Sequence, residues 1–382
     1  MDVKVGEMEQ KKIKVAYFIG SLNRGGTETL VLDSFRKREY APFESILIYR
    51  NEGELSEAYR ATGVPMYRIK PGGLKLGYIT SIRKLLKRER VDILHTQTLL
   101  NAFLGIFCTI ISRVKLVATF HGFFPSFREQ VFAHLVMWYA DASVFVSVYV
   151  RDWYLKRTFF APKKRCHVVY NGIDFSKFDQ KYNVPDFIRQ TDSVKPGVVK
   201  MAMVGNFVGV RSQKILCRAL KALKDKNVCD FCFYFIGKKS EAEPKLYDNC
   251  VSYCRDNGLL DSNIFFLGGR GDVPAILQNV DAFVYSTVKD TFGIAVIEAA
   301  SSGLPVLVND WAVMKEITCD GEFASYFKSN DIEDCCCQIQ LLVENMEQRK
   351  KVAVNKSECV RDRYSIKSHI NSLAVVYNNC IK

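Results

Sequence analysis

Short runs of β-branched and aromatic residues alternate along the chain with longer segments whose apolar positions recur every three or four residues. In the first half the runs predict strands, and the segments between them predict amphipathic helices. The predicted strands cover Val15–Ile19, Ser45–Tyr49, Met66–Ile69, Asp92–His95, Leu116–Phe120, Ser143–Val146 and His167–Val169. The clearest helices cover Gly26–Arg38, Thr80–Arg90 and Asn101–Ser112. This alternation is typical of a parallel sheet with helices on both faces.

A second series of the same kind follows a polar stretch that contains Pro185 and Pro196 and shows no period. Its predicted strands cover Val199–Val204, Phe231–Ile236, Ile264–Leu267, Ala282–Tyr285 and Val306–Val308. Its predicted helices cover Gln213–Leu223, Leu246–Asn257, Val273–Asn279, Ile294–Ser301, a segment from Ile332 to about Arg349, and Ser365–Asn378.

The chain has 382 residues, and 48% of them are hydrophobic, which is enough apolar material for two cores. We therefore predict an α/β protein of two tandem Rossmann-like, doubly wound domains that face each other across a cleft. The predicted parts are an N-terminal domain over 1–180, a linker over 181–198, a C-terminal domain over 199–362 and a last helix within 363–382 that packs on the N-terminal domain. Ligands of open parallel sheets bind at the carboxyl ends of the strands, so the cleft is the expected site.

A glycine-rich turn, Gly20-Ser21-Leu22-Asn23-Arg24-Gly25-Gly26, follows the first predicted strand and opens the first helix. Glycines let backbone amides approach a phosphate, and a helix N-terminus favours negative charge. The spacing is not that of the dinucleotide fingerprint G-x-G-x-x-G. Anion binding and a plain turn with a glycine cap are both consistent with this segment.

Two histidines stand where predicted strands end. His95 closes one strand and His121 follows the next. A histidine at the carboxyl end of a parallel strand faces the crevice, and its ring can exchange protons near neutral pH. We favour a functional role for His121 and leave His95 open between function and packing.

The segment from Ser286 to Glu298 carries the strongest signal. Asp290 precedes a Thr-Phe-Gly turn, and a helix begins directly after it. The backbone amides of Thr291, Phe292 and Gly293 are expected to be free at that helix N-terminus, where they would face a phosphate. Glu298 lies among apolar and small residues, so it is embedded, and a carboxylate there suits sugar or ribose hydroxyls.

This segment resembles the acidic-x7-Glu signature of the family-4 retaining glycosyltransferases of the GT-B fold, of the bacterial surface-polysaccharide type. The resemblance extends from about Lys14 to the C-terminus. Further segments stand in the family's order: Gly25–Glu28, Thr119–Gly122, Val169–Asp174, Met203–Phe207, Phe235–Gly237, Phe266–Gly268 and Ser302–Val306.

The resemblance implies roles in the second domain. Glu298 would bind the ribose hydroxyls of a nucleotide sugar. Asp290 and the amides of Thr291, Phe292 and Gly293 would hold the donor sugar and its diphosphate.

It also implies roles for residues elsewhere. Arg211 matches the family's basic residue on the diphosphate, and the backbone near Arg270 would meet the base. His121 would lie beside the reacting sugar, and Gly25 and Gly26 would let the first loop approach donor or acceptor. His121 and Asp290 are thus the catalytic candidates.

Three positions depart from the family's pattern. The first acidic residue is Asp290 where glutamate is usual, and Asn206 stands where the family often has arginine. Asn206 is kept as a donor-binding candidate, with Lys214 as the cation that compensates. The usual His-x-His pattern reads His95-Thr96-Gln97.

The implied reaction is a retaining, front-face hexosyl transfer in which the leaving phosphate helps to deprotonate the acceptor. Arg211, Lys214 and the helix N-terminus would stabilise the growing phosphate charge. The sequence shows no obvious pair of carboxylates arranged for double displacement. The resemblance also implies that no metal and no cofactor take part, and the lack of a D-x-D motif is consistent with that. The nucleotide sugar is a substrate.

The net charge of +13 is unevenly distributed, because residues 1–180 carry 28 basic and 17 acidic side chains, a net +11. The basic cluster over 83–90 has an apolar stripe and no aromatic residue for stacking, so we expect no nucleic acid partner. It fits an anionic membrane surface, and it fits a solvated helix face equally well. Docking would make the acceptor a lipid-linked glycan. Aromatic residues nearby add apolar bulk: Phe123, Phe124, Phe127, Phe132, Trp138, Tyr139, Trp153 and Tyr154.

The N-terminal segment lacks the apolar core of a secretion signal, and no apolar run is long enough to span a bilayer. We therefore expect a cytoplasmic protein, peripheral on the inner face of the cell membrane if the basic half docks there, with its 13 cysteines as free thiols. A zinc site at Cys229, Cys232, Cys250 and Cys254 is the less favoured alternative to core packing.

Two other functions remain open from the sequence. Sugar-nucleotide epimerases share the two-domain fold. A non-catalytic nucleotide-sugar-binding protein would tolerate the changes at Asp290 and Asn206.

Overall fold

The computed structural model describes residues 12–70, 75–124, 126–158 and 161–382. Their contacts divide the chain into two units. One runs to Gly172 and includes Ile366–Lys382, and the other is Ile173–Ser365.

The first unit is built on a parallel seven-stranded sheet in the order β3-β2-β1-β4-β5-β6-β7. Its strands are β1 Lys14–Phe18, β2 Glu44–Tyr49, β3 Met66–Arg68, β4 Ile93–Thr96, β5 Lys115–Phe120, β6 Ala142–Phe145 and β7 Cys166–Val168. Its helices are α1 Gly26–Arg36, α2 Ser56–Arg60, α3 Lys75–Arg88, α4 Leu99–Thr109, α5 Phe127–Tyr139, α6 Val148–Leu155 and, at the end of the chain, α15 Ile366–Ile381. The strand order reverses between β1 and β4, and such a reversal is where ligands of this architecture bind.

The second unit contains a parallel six-stranded sheet in the order β10-β9-β8-β11-β12-β13. Its strands are β8 Val199–Val204, β9 Phe231–Ile236, β10 Ile264–Phe266, β11 Ala282–Tyr285, β12 Val306–Asn309 and β13 Ser325–Phe327. Its helices are α7 Asp186–Val194, α8 Gln213–Asp225, α9 Pro244–Asp256, α10 Val273–Leu277, α11 Ile294–Ser301, α12 Ala312–Ile317, α13 Ile332–Glu344 and α14 Met346–Tyr364. Here the order reverses between β8 and β11.

The predicted fold class of two doubly wound parallel sheets is confirmed. Strand interiors are apolar on both faces; every residue of β9 is buried, for example. A strand covered by helices on both faces needs a continuous run of apolar residues, and such runs predict the strands from the sequence.

The predicted linker differs from the structure. Residues 186–194 form α7, and its Ile188 and Thr191 are buried. The units divide at Gly172 and Ile173, ahead of the predicted boundary at 180. The helix is short and mostly polar, and Pro185 and Pro196 flank it, which is why the sequence pattern favours a linker there.

Other elements escaped the sequence pattern for different reasons. α5 has apolar residues on its outer face as well as its inner one, so it shows no amphipathic period. β13 is three residues long. α14 is strongly polar, with Val360 and Tyr364 as its buried residues.

Helix α15 belongs to the first unit. Ile370, Leu373 and Tyr377 are buried in the same cluster as residues of α1, β1 and β2. The chain enters the helix past Gly172, where an added Cβ would lie 2.6 Å from His369 Cβ and 2.8 Å from the backbone Cα of Ile366. Only a residue without a side chain allows this approach.

We predict that Gly172→Ala destabilises the first unit by about 1–3 kcal/mol, because the methyl group forces α15 away from its seat. The matched control is Gly77→Ala on α3, where an added Cβ meets nothing within 4 Å. That change should leave stability unchanged or raise it, by up to about 1 kcal/mol. Urea unfolding followed by circular dichroism measures both, and equal stability of the two variants would contradict the packing described.

Candidate active site

The second unit places its polar cluster at the reversal between β8 and β11. Arg211 lies in the loop after β8, and Asp290 lies in the loop after β11. Arg211 Nη1 is 3.0 Å from Asp290 Oδ2, and the guanidinium lies 5.3 Å from the centroid of the Tyr285 ring. The hydroxyl of Tyr285 donates to the same Oδ2 over 2.7 Å.

All three groups are largely withdrawn from water. Tyr285 is fully buried and Asp290 is 8% exposed. Burial, followed by the charge of Asp290, raises the pKa of Tyr285 well above its usual value, so it is a hydrogen-bond donor at neutral pH. Burial opposes the charge on Arg211, but Tyr285 and Asp290 leave its pKa raised, and it remains a cation.

Arg211 retains unused donor capacity. Its buried Nε has no hydrogen-bond partner among the residues that the structure describes, and its Nη1 contacts Asp290 as an ion pair without hydrogen-bond geometry. A buried donor without an acceptor costs stability, and in native proteins it commonly marks a place that a ligand or water completes. A cation at the carboxyl end of two adjacent parallel strands is suited to a phosphate.

Asp290 is held differently from the expectation. Its Oδ1 accepts from the amide of Thr291 over 2.9 Å, and its backbone oxygen accepts from Trp311 Nε1 over 2.9 Å. With Oδ2 already bound by Tyr285 and Arg211, both carboxylate oxygens are engaged by the protein itself. The expectation that the Thr291 amide is free for a phosphate is therefore wrong, because the shorter aspartate folds back onto it.

Phe292 and Gly293 form the end of the turn that leads into α11, as predicted from the sequence. Gly293 caps α11 with a left-handed φ of +88°, and an added Cβ would lie 2.8 Å from Met314 Cε. Phe292 is buried and packs edge-on against Tyr364, which anchors the turn in the core.

Glu298 lies on α11 with its side chain 16% exposed, and Lys177 Nζ stands 3.7 Å from its Oε1. Sequence reasoning missed Lys177. Its position shortly after the Asn171–Asp174 segment was the only available signal.

The remaining donor-side candidates are spread around this unit. Asn206 Oδ1 accepts from the backbone of Lys238 over 2.9 Å, so its side chain ties two loops together. Lys214 is exposed on α8 beside Cys250; the Cys217 hydrogen bond and, to a lesser extent, Lys214 lower the pKa of that thiol.

Arg270 makes a two-pronged contact with Asp272, with N–O distances of 2.8 and 2.6 Å, and lies over the ring of Phe187. Its guanidinium is thus occupied, which leaves the backbone of this loop for a base. Gly269 beside it allows close approach, since a Cβ there would lie 2.5 Å from Lys238 Cγ.

The zinc alternative finds no support. Over the described ranges, no group of three or more His, Cys, Asp or Glu side chains is placed to hold a metal ion. Cys217 on α8 hydrogen-bonds instead with Cys250 and Cys254 on α9, as thiols packed between two helices.

In the first unit, Gly25 is the N-cap of α1 in an extended conformation, and Gly26 begins the helix. An added Cβ at Gly25 would lie 2.4 Å from a carboxylate oxygen of Glu28. Glu28 thus places a carboxyl group in the first turn of α1, where the sequence left anion binding open. Burial raises the pKa of this carboxyl group.

His121 follows β5, and Gln97 follows the neighbouring β4, so the two meet at the same end of the sheet. His121 Nε2 lies 2.8 Å from Gln97 Oε1. Burial, followed by the charge of His369, lowers the pKa of His121 to about 3. The ring is therefore neutral at physiological pH.

His95 is a core residue. Its Nδ1 lies 2.6 Å from the Tyr377 hydroxyl and its Nε2 lies 2.7 Å from Thr119 Oγ1. Burial lowers its pKa to about 3, and burial likewise lowers that of His369 to about 4. Both ring nitrogens of His95 are therefore engaged in hydrogen bonds within the first unit.

No helix among the described residues is long and apolar enough to cross a bilayer.

Comparisons with known proteins show the family and the fold. The family model described as Glycosyltransferase Family 4 matches residues 24–177, and that described as Glycosyl transferases group 1 matches residues 186–358. The chain is 26% identical over 314 residues to UDP-Gal:alpha-D-GlcNAc-diphosphoundecaprenol alpha-1,3-galactosyltransferase of Escherichia coli, covering 78% of this chain and 80% of the relative.

An O-antigen biosynthesis glycosyltransferase of Escherichia coli is 19% identical over 393 residues, covering 97% of this chain and 99% of the relative. Among solved structures, Anabaena Alr3699/HepE in complex with UDP and glucose matches with a TM-score of 0.80 at 17% identity, covering 95% of this chain and 98% of that one. At this identity the structural likeness shows the fold.

The buried histidines predict an acid-sensitive first unit. Their pKa values are depressed from the ordinary 6.5, so the unfolded chain takes up protons that the folded unit excludes. Stability should fall as pH drops from about 6.5 towards 5, by up to about 1.4 kcal/mol per pH unit for each histidine.

Urea midpoints measured across this range test the prediction, and His369→Gln should reduce the slope by about one proton. A pH-independent midpoint in the wild type, or an unchanged slope in the variant, would show that these rings are solvated.

Proposed function

Because the chain belongs to the glycosyltransferases, with a family 4 domain followed by a group 1 domain, we propose that it is a retaining, metal-independent hexosyltransferase. It would move a sugar from a nucleotide-sugar donor to a lipid-linked glycan in surface polysaccharide assembly. The observation that carries the proposal is buried Arg211, which is held by Asp290 and Tyr285 and keeps an unpartnered Nε.

The chemistry follows from the charge that develops in the reaction. The bond between the anomeric carbon and the diphosphate oxygen breaks, and a bond to an acceptor hydroxyl forms on the same face of the sugar. The acceptor proton passes to the leaving phosphate. Arg211 and the N-terminus of α11 would stabilise the phosphate charge in a site with little water, where such charges interact strongly.

Glu298 supports a nucleotide as donor. A half-buried carboxylate accepts two hydrogen bonds and suits the two ribose hydroxyls. Lys177 Nζ, 3.7 Å away, forms an ion pair with this carboxylate and would share it with the ribose. The name of the Escherichia coli relative specifies UDP-Gal, and the Anabaena structure contains UDP. UDP-sugars are therefore the first donors to test.

The acceptor proposal is supported by the relative whose name specifies a diphosphoundecaprenol-linked sugar. Such a substrate keeps its lipid in a membrane, so the enzyme has to work at a membrane surface. The first unit has a surface suited to that task.

Helix α5 exposes an apolar face. Phe127, Val131, Leu135 and Trp138 recur at helical spacing and are 83%, 40%, 41% and 62% exposed. Helix α4 packs against α5, and the two residues that follow α4, Ile110 and Ile111, are also exposed. We call these six residues the α5 apolar surface.

Basic side chains border the surface. α3 packs against α4, and Arg83 on α3 donates to the backbone oxygen of Ile110. Lys84, Lys87 and Arg88 are exposed on the same helix. Apolar residues beside lysine and arginine match the acyl boundary and anionic headgroups of a lipid leaflet. We therefore propose peripheral attachment to the inner face of the cell membrane.

The proposed transfer is tested with a panel of UDP-, GDP- and dTDP-sugars, a lipid-diphosphate-sugar acceptor and EDTA. We expect an α-linked product from an α-linked donor. Glu298→Ala should weaken donor binding by about 10- to 100-fold, the cost of losing a charged hydrogen bond. His121→Ala should lower turnover, while Glu347→Ala, exposed on α14, serves as the matched control.

Other outcomes separate the alternative functions. Interconversion of nucleotide sugars without transfer would identify an epimerase. Tight binding without turnover on any acceptor would favour a binding protein, and no nucleotide-sugar binding at all would contradict the proposal.

Membrane docking is tested by sedimentation with phosphatidylcholine vesicles, with and without phosphatidylglycerol. The double variant Phe127→Ser/Trp138→Ser should bind anionic vesicles at least about 10-fold more weakly, since two large apolar side chains are lost from the contact. Val375→Ser, on an exposed position of α15, is the control. Undiminished binding of the double variant, or equal loss in the control, would exclude the α5 apolar surface.

A further inference from the structure

The second unit contains a cavity of about 390 Å³ that lies apart from the Arg211–Asp290 pair. Val306 and Ser325, the first residues of β12 and β13, line it, so it lies beside the amino ends of these strands. Arg211 and Asp290 follow the carboxyl ends of β8 and β11. Because these strands are parallel, the two places lie at opposite ends of the strands of one sheet. The cavity is therefore separate from the candidate active site.

One face of α14 forms a wall of this cavity. Arg349, Val352, Ala353, Lys356 and Val360 line it at intervals of three or four residues, a spacing that brings side chains to the same side of a helix. Val360 is 1% exposed, whereas Val352 is 50% exposed. The wall thus runs from the core to the surface, where a small molecule can reach it from solvent.

The rest of the lining is mostly apolar or small. Leu304, Val306 and Leu342 line the cavity with buried side chains. Gly321 and Ala324, in the loop before β13, have little or no side chain with which to fill the space. A cavity of this size, with apolar walls and a few polar groups, is typical of a site for a small molecule.

The charged groups of the lining do not balance. They are the two cations Arg349 and Lys356 and the one acid Glu322, for a net charge of +1. Lys356 Nζ lies 2.7 Å from Glu322 Oε1, so these two charges compensate each other. Arg349 Nη1 donates to the neutral hydroxyl of Ser325, and its buried Nε has no hydrogen-bond partner among the described residues. The uncompensated charge is therefore that of Arg349.

We propose that this cavity binds a small organic monocarboxylate with an apolar body. The carboxylate accepts a hydrogen bond from Arg349 Nε, and the hydrocarbon part lies against Val352 and the apolar walls. A guanidinium binds a carboxylate through a charge-assisted hydrogen bond, which is stronger than the bond to a neutral acceptor. The proposal does not depend on the transferase function, because it uses none of the residues assigned to that site.

Charge and lining together select this class of ligand. One negative charge balances the net charge of the cavity, whereas a dianion such as phosphate would leave a charge uncompensated in a partly buried place. A neutral molecule would leave Arg349 without a counter-charge. A carboxylate without a hydrocarbon part would gain nothing from the apolar walls.

The direct test is calorimetry on the full-length protein at pH 7, with hexanoate as the probe. Hexanamide has the same chain without the charge, and acetate has the charge without most of the chain. We expect hexanoate to bind at least about 10-fold more tightly than either. No binding of hexanoate, or equal binding of hexanamide or acetate, would overturn the proposal.

Variants on α14 locate the bound probe. Arg349→Met should weaken hexanoate binding by about 10- to 100-fold, the cost of losing a charged hydrogen bond. Ala353→Phe should weaken it by filling the cavity while leaving the contact between Arg349 and Ser325 in place. Lys351→Met removes a cation from the same helix outside the cavity and is the matched control.

Circular dichroism shows which variants are folded, and Ala353→Phe keeps the test valid if Arg349→Met does not fold. Undiminished hexanoate binding in a folded Arg349→Met or Ala353→Phe variant, or an equal loss in Lys351→Met, would overturn the proposal.

A last variant separates the cavity from the candidate active site. Arg211→Met/Asp290→Asn should bind hexanoate as the wild type does, because its changes lie at the other end of the strands. Loss of hexanoate binding in this variant would place the probe at Arg211 and would also overturn the proposal.

Discussion

The buried ion pair between Arg211 and Asp290 is the interaction on which the donor site depends. Two charges withdrawn from water are tolerated only when each is paired and hydrogen-bonded. Asp290 achieves this with Arg211, Tyr285 and the Thr291 amide, whereas Arg211 stays incomplete at Nε. The pair therefore fixes the β11–α11 turn and at the same time keeps a cation ready for an anion.

This arrangement changes the meaning of the acidic position before α11. The resemblance assigned Asp290 to the donor sugar, but its oxygens are taken up by the protein's own donors. We propose that Asp290 acts on a substrate through Arg211, as a positioning residue. Tyr285 is the last residue of β11, and its hydroxyl reaches the carboxylate of Asp290 in the loop that follows.

The sequence predicted what depends on continuous apolar runs and on local turn chemistry. The two parallel sheets, the turn from Asp290 to Gly293 and the embedded position of Glu298 all follow from those features. It could not predict partners distant along the chain, such as Tyr377 for His95, or Lys177 for Glu298. Helix α5 was missed for a different reason, because its exposed apolar face removes the amphipathic period. The contact of Asp290 with the Thr291 amide was missed because it depends on the direction of a side chain.

Binding of the donor diphosphate by Arg211 can be measured by calorimetry in the presence of EDTA. UDP and uridine are each titrated into the wild type and into Arg211→Met/Asp290→Asn, in which neither buried charge remains. We expect the variant to bind UDP about 10- to 100-fold more weakly and to bind uridine as the wild type does. Unchanged UDP affinity in the folded variant would contradict it.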